Sequence, residues 1–106
     1  EFNHETFAYV GMVRHASGKR WHVAWLTTIW GGSCRATVRL LVFSPTGRYL
    51  GQYGHVFPRN IVIRGDTLIF TDADPDIGNR IRFTASGPPA RIHVDGDLHS
   101  FQPAGH

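Results

Sequence analysis

From residue 60 to 101 the chain alternates apolar and polar positions in five short stretches, each closed by residues that favour turns. A period of two is the pattern of strands buried on one face. Residues 60–64 and 67–70 flank Gly65-Asp66. A two-residue Gly-X loop suits a type II′ turn, because glycine accepts the positive φ at its first position. That register pairs Ile63 with Leu68 and Ile61 with Phe70 on an apolar face, and leaves Val62, Arg64, Thr67 and Ile69 on the other. A loop through Pro75 and Gly78-Asn79 follows. Residues 80–84 then turn Ile81 and Phe83 inward and Arg80, Arg82 and Thr84 outward. Gly87-Pro88-Pro89 interrupts the chain. Residues 90–94 return with Ile92 and Val94 inward, and Asp95-Gly96-Asp97 leads into residues 98–101. This order predicts an up-and-down meander that closes into a barrel or faces a second sheet.

The first half repeats the theme. Residues 1–5 carry no pattern and read as a frayed terminus. Residues 6–14 set Phe7, Tyr9, Gly11 and Val13 against Ala8, Val10 and Met12, and their aromatic and β-branched content favours a strand. Residues 20–30 carry bulk on both faces, as in a central strand. Residues 34–43 place Ala36, Val38, Leu40 and Val42 inward and Arg35, Thr37 and Arg39 outward. After the turn at Ser44-Pro45-Thr46-Gly47, residues 48–56 align Tyr49, Gly51, Tyr53 and His55 on one face. Gly51 and Gly54 weaken this strand, mark a bulge or bend, and suggest an edge that a second copy could pair with to form a homodimer. The expected fold is all-β: a single domain over residues 1–106, a small antiparallel up-and-down barrel or two-sheet sandwich of about eight or nine strands.

Composition changes this picture little. Apolar residues make up 42% of the chain and charged residues 18%, which is globular and not disordered. No apolar run exceeds four residues, so no membrane-spanning helix is expected. Cys34 has no cysteine partner in the chain. The net charge is +3 and ten of the eleven basic residues are Arg, yet they are scattered, so a nucleic-acid partner is not the favoured expectation. The chain starts at Glu1 without a Met; removal of an export signal, giving a periplasmic or secreted protein, is one expectation and a cloning boundary another.

Catalysis finds little footing. Gly32-Ser33-Cys34 lacks the spacing of a nucleophile elbow. All six Asp sit in turns and both Glu lie at the N-terminus, a poor placement for tuned acid–base work. Two clusters have metal-binding chemistry. Asp72, Asp74 and Asp76 occupy alternate positions of a loop, as Ca²⁺ ligands do, but Ile77 stands where an EF-hand has Gly and Phe83 where it has Glu. The plainer reading is a solvated loop. His93 and His99 would face each other if the intervening turn had three residues, and could then hold Zn²⁺; a two-residue turn dissolves the pair. No cofactor is expected, with Ca²⁺ or Zn²⁺ as the alternatives.

The remaining constellation is aromatic. Trp21, Trp25, Trp30, Tyr49 and Tyr53 lie on strands that also carry Arg35, Arg39, Arg48 and His55. Aromatics beside Arg serve interfaces, sugar-binding faces and single-strand nucleic-acid binders, whereas the bland alternative is core packing. The expectation is a non-catalytic binding domain that uses Tyr49, Tyr53, His55, Arg39 and Arg48 to hold a protein or a polar small ligand.

Overall fold

In the computed structural model, described over residues 4–31, 35–54, 60–71, 79–94 and 97–104, the chain is all-β. Among the described residues nine antiparallel strands are formed: β1 (His4–Arg14), β2 (Arg20–Trp30), β3 (Arg35–Phe43), β4 (Tyr49–Gly54), β5 (Ile61–Arg64), β6 (Thr67–Phe70), β7 (Arg80–Arg82), β8 (Arg91–Val94) and β9 (Asp97–Pro103). Six of them make one sheet in the order β1-β2-β3-β4-β9-β8, and β5-β6-β7 make a second. The sheets touch at both margins. Arg14 N donates to Gly65 O at 2.8 Å, and Asn79 N donates to His93 O at 3.0 Å. Among the described residues no ladder crosses either margin, so the fold is two facing sheets and not a closed barrel.

The alternation read from residues 60–94 is what builds the core. Gly65 has φ 58°, the sign a type II′ turn needs, and Ile63 pairs with Leu68 and Ile61 with Phe70. Leu68, Phe70, Ile81 and Phe83 rise from the small sheet against Trp21, Val23, Leu40 and Val42 of the large one. The Trp21 and Phe83 rings meet at 5.2 Å across the two layers. Full burial of side chains of this size stabilises by about 1.5–3 kcal/mol each.

Three expectations are corrected. The five strands of residues 60–101 do not form one meander. After β7 the chain turns at Thr84 and Gly87, and Pro88-Pro89 offers no N–H to extend the small sheet; the β8–β9 hairpin joins the large sheet instead. Second, β4 is not an edge. It lies between β3 and β9, so it is not open to a second copy; the Tyr53 hydroxyl donates to Pro89 O at 2.6 Å. Third, strand β1 starts by His4, and Thr28 Oγ1 donates to Glu5 Oε2 at 3.2 Å, so the ordered strand includes residues expected to fray.

The alternation also reverses twice. On β1, Tyr9 pairs with Ala24 but Gly11 pairs with Val23, leaving Val10 as an extra residue. On β4, Tyr49 pairs with Phe43 but Gly51 pairs with Val42, leaving Leu50 extra. Each is a β-bulge, and one inserted residue flips the faces of everything on its far side. Gly11 (φ 152°) and Gly51 (φ 153°) follow the two extra residues, in a backbone region that side chains rarely adopt. A Cβ on Gly11 would lie 2.7 Å from Ile63 Cδ1, and one on Gly51 would lie 2.5 Å from Gln102 O.

Candidate functional site

The two bulges place aromatic side chains on the outer face of the six-stranded sheet, away from the core. Residues directly opposite in a ladder point to the same side. Phe7 stands opposite Leu26, Tyr9 opposite Ala24, Ala24 opposite Leu41, His22 opposite Phe43, and Phe43 opposite Tyr49. Beyond the bulges, Val13, Val23, Val42 and Tyr53 point the other way, into the core.

The outward rings form a connected layer. Phe7 and Phe43 approach to 6.3 Å at 67°, and Phe43 and Tyr49 to 5.8 Å at 60°. These are edge-on and tilted arrangements that aromatic quadrupoles favour. Ala24 is fully buried although it faces outward, so the surrounding side chains roof it over. The roof is itself open to solvent: Phe7 is 57% exposed, Tyr9 58% and Tyr49 38%.

Polar groups fix the rings. His22 Nε2 lies 3.2 Å from Pro45 O, and a carbonyl can only accept, so Nε2 carries the proton. In the neutral imidazole Nδ1 is then bare, and the Tyr9 hydroxyl donates to it at 2.7 Å. Tyr9 is thereby held across β2 to the β3–β4 turn. Tyr49 donates to Gln52 Oε1 at 3.2 Å, and Gln52 Nε2 donates to Gln102 Oε1 at 3.1 Å. Partial burial raises the Tyr49 pKa, and the nearby Arg39 guanidinium pulls it back. Arg48, also exposed, precedes Tyr49 at the end of the turn.

The expected site residues therefore separate. Tyr49, Arg39 and Arg48 belong to or border the outer face. Tyr53 does not: it is fully buried on the inner face, packed at 5.1 Å against Phe101, and burial raises its phenol pKa strongly. Trp21 and Trp25 are core residues, while Trp30 is 40% exposed and donates through Nε1 to Thr37 Oγ1 at 2.9 Å. His55 lies outside the described residues, as do Asp72, Asp74, Asp76, Ser33 and Cys34. The facing pair of imidazoles does not form. Val94 pairs with Asp97, so the turn has two residues; His93 faces Leu98 and His99 faces Ile92, on opposite sides of the hairpin. His99 Nδ1 instead donates to Gly54 O at 3.1 Å. Among the described residues no group of three His, Cys, Asp or Glu comes together, and no helix is long and apolar enough to cross a membrane.

Phe7, Tyr9, Phe43 and His22 were not marked by composition or spacing as one site. The signal that could have found them is Gly11 and Gly51, each inside a strand where glycine is costly unless the backbone bends. Comparison with protein-family models, with curated proteins and with solved structures finds no match.

Proposed function

We propose that the protein is a non-catalytic binding domain whose outer aromatic face takes a protein partner. The observation that carries this reading is the connected layer Phe7–Phe43–Tyr49, with Phe7 and Tyr49 exposed and Phe43 half-buried between them, on a sheet whose other side already holds the core. Protein interfaces have this anatomy: an apolar centre rich in Phe, Tyr and Met, and a polar rim with Arg. Leu26, Leu41 and Phe43 supply the centre, and Arg39, His22, Gln52 and Gln102 the rim. Seven of the eleven basic residues but only Glu1 and Glu5 among the acids precede Asn60. That balance favours a partner segment with acidic groups beside its apolar anchors.

Selection from a random-peptide display library tests the reading, with the Phe7→Ser/Tyr49→Ser double variant as the counter-target. Enrichment of peptides held by the wild type and not by the double variant is expected. Recovery of only those peptides that both proteins hold equally would overturn it. A single-stranded oligonucleotide retained at low salt and released by added salt would move the aromatic–Arg face to nucleic acid, where bases stack on such rings.

A further inference from the structure

The N-terminal half of β1 extends past the second layer. All six residues from His4 to Tyr9 are exposed, although they alternate between the two faces of the sheet. The core stops at Trp25 and Val38; beyond them Ile29 is 44% exposed and Ala36 is exposed too. Strand β5 reaches β1 only at its far end, where Arg14 N meets Gly65 O and Gly11 meets Ile63. Among the described residues nothing pairs with the outer edge of β1 from His4 to Tyr9. Of the devices that keep edge strands apart, this edge carries a single charged side chain, Glu5, and no Lys, no Pro and no bulge before Val10.

We propose that a second copy of this chain pairs antiparallel with this edge, with Phe7 opposite Phe7 of the second copy. A two-fold axis normal to the sheet keeps outer face with outer face, so the pairing centres on a single residue. Centring on Glu5 sets two carboxylates against each other. Centring on Thr6 sets each Glu5 carboxylate against a Phe7 ring, which has no polar group to meet it. Centring on Ala8 runs the ladder into the bulge at Val10. Centring on Phe7 avoids all three, since the ring then opposite Glu5 is that of Tyr9, which carries a hydroxyl. It stacks the two phenyl rings, places Glu5 opposite Tyr9 and Thr6 opposite Ala8, and uses residues 5–9 without reaching the bulge. The two aromatic faces then run on as one surface across a twelve-stranded sheet, twice the six strands of one copy.

Sedimentation velocity over a micromolar-to-millimolar range tests this. The wild type is expected to shift from monomer to dimer. Phe7→Lys and Phe7→Glu, each alone, weaken the dimer by roughly tenfold or more, because like charges then oppose each other at the axis. An equimolar mixture of the two restores it. A wild type that stays monomeric at the highest concentration overturns the proposal. So do single variants that dimerise as the wild type does, or a mixture that stays monomeric. A dimer strengthened by Phe7→Lys means that residue 7 faces Glu5, and rejects the Phe7-centred register. Tyr49→Ser leaves the dimer intact, which separates the edge pairing from the part of the ligand face that does not include Phe7. Amide exchange on the unaltered protein gives a second reading: protection of residues 5–9 that rises with concentration supports the pairing, and protection independent of concentration refutes it.

Discussion

Tyr49 and Tyr53 stand four residues apart on one strand, yet Tyr53 is fully buried in the core and Tyr49 is 38% exposed on the opposite face. Strand alternation would put both on the same side. The extra residue Leu50 reverses the alternation between them, as Val10 does between Tyr9 and Val13 on β1. Two matched bulges thus take aromatic side chains that would otherwise belong to the core and set them on an outer layer.

The bulge on β4 depends on Gly51. Alanine there would have to adopt φ 153° and push against the Gln102 carbonyl and the Phe101 ring. Backbone strain of this kind costs roughly 1–3 kcal/mol, and forced overpacking adds a similar amount. Gly51→Ala is therefore expected to lower the denaturation free energy by about 2–6 kcal/mol. Gly54→Ala is the control, because a Cβ there meets nothing within 4 Å and its φ is not positive. It should change stability by no more than about 0.5 kcal/mol in the same urea titration.

The two tyrosines also differ in what their hydroxyls hold. Tyr53→Phe leaves the Pro89 carbonyl without its buried partner, and should cost about 1–3 kcal/mol. Tyr49→Phe loses an exposed bond to Gln52 and should cost no more than about 0.5 kcal/mol. Alkaline pH separates them again. Burial raises the Tyr53 pKa above its ordinary 10.0, so the folded state keeps a proton that the unfolded chain releases. The stability this contributes is complete below pH 10.0 and is lost as pH climbs through the folded-state value. Melting curves between neutral pH and pH 11 should fall less steeply for Tyr53→Phe than for the wild type.

At the acid end the sign is opposite. The Thr67 hydroxyl donates to Asp66 Oδ1 at 2.8 Å, and the Arg82 guanidinium lies 3.4 Å from Oδ2; the hydroxyl bond first, then the guanidinium, hold the carboxyl below its ordinary 3.8. The stability gained is present above pH 3.8 and is lost as pH falls through the folded-state value. Asp66→Asn should flatten the fall of melting temperature in that acid range, and added salt should weaken the Arg82 part of the effect.

Much of the fold was legible in the sequence because its small sheet obeys local rules. Gly65-Asp66 set the register of β5 and β6, and the apolar positions Leu68, Phe70, Ile81 and Phe83 are the ones that are buried. Sheet membership was not legible, since nothing local to residues 91–103 says that β9 will lie beside β4. The site was half legible. Tyr49, Arg39 and Arg48 were found through the pairing of aromatic and Arg on neighbouring strands. Tyr53 was misplaced and Phe7 and Tyr9 were missed for one shared reason: a bulge shifts faces by one residue, and glycine within a strand marks where this can happen without saying that it does.

The outer rings Phe7 and Tyr49 are proposed to serve binding and not packing. Isothermal titration of one display-selected peptide against the wild type and the Phe7→Ser/Tyr49→Ser double variant, with both melting temperatures recorded, tests it most directly. The expected result is an affinity loss of tenfold or more, about 1.4 kcal/mol, in a variant that still melts cooperatively within a few degrees of the wild type. Equal affinity for both proteins, or a variant destabilised as severely as a core truncation, would contradict it.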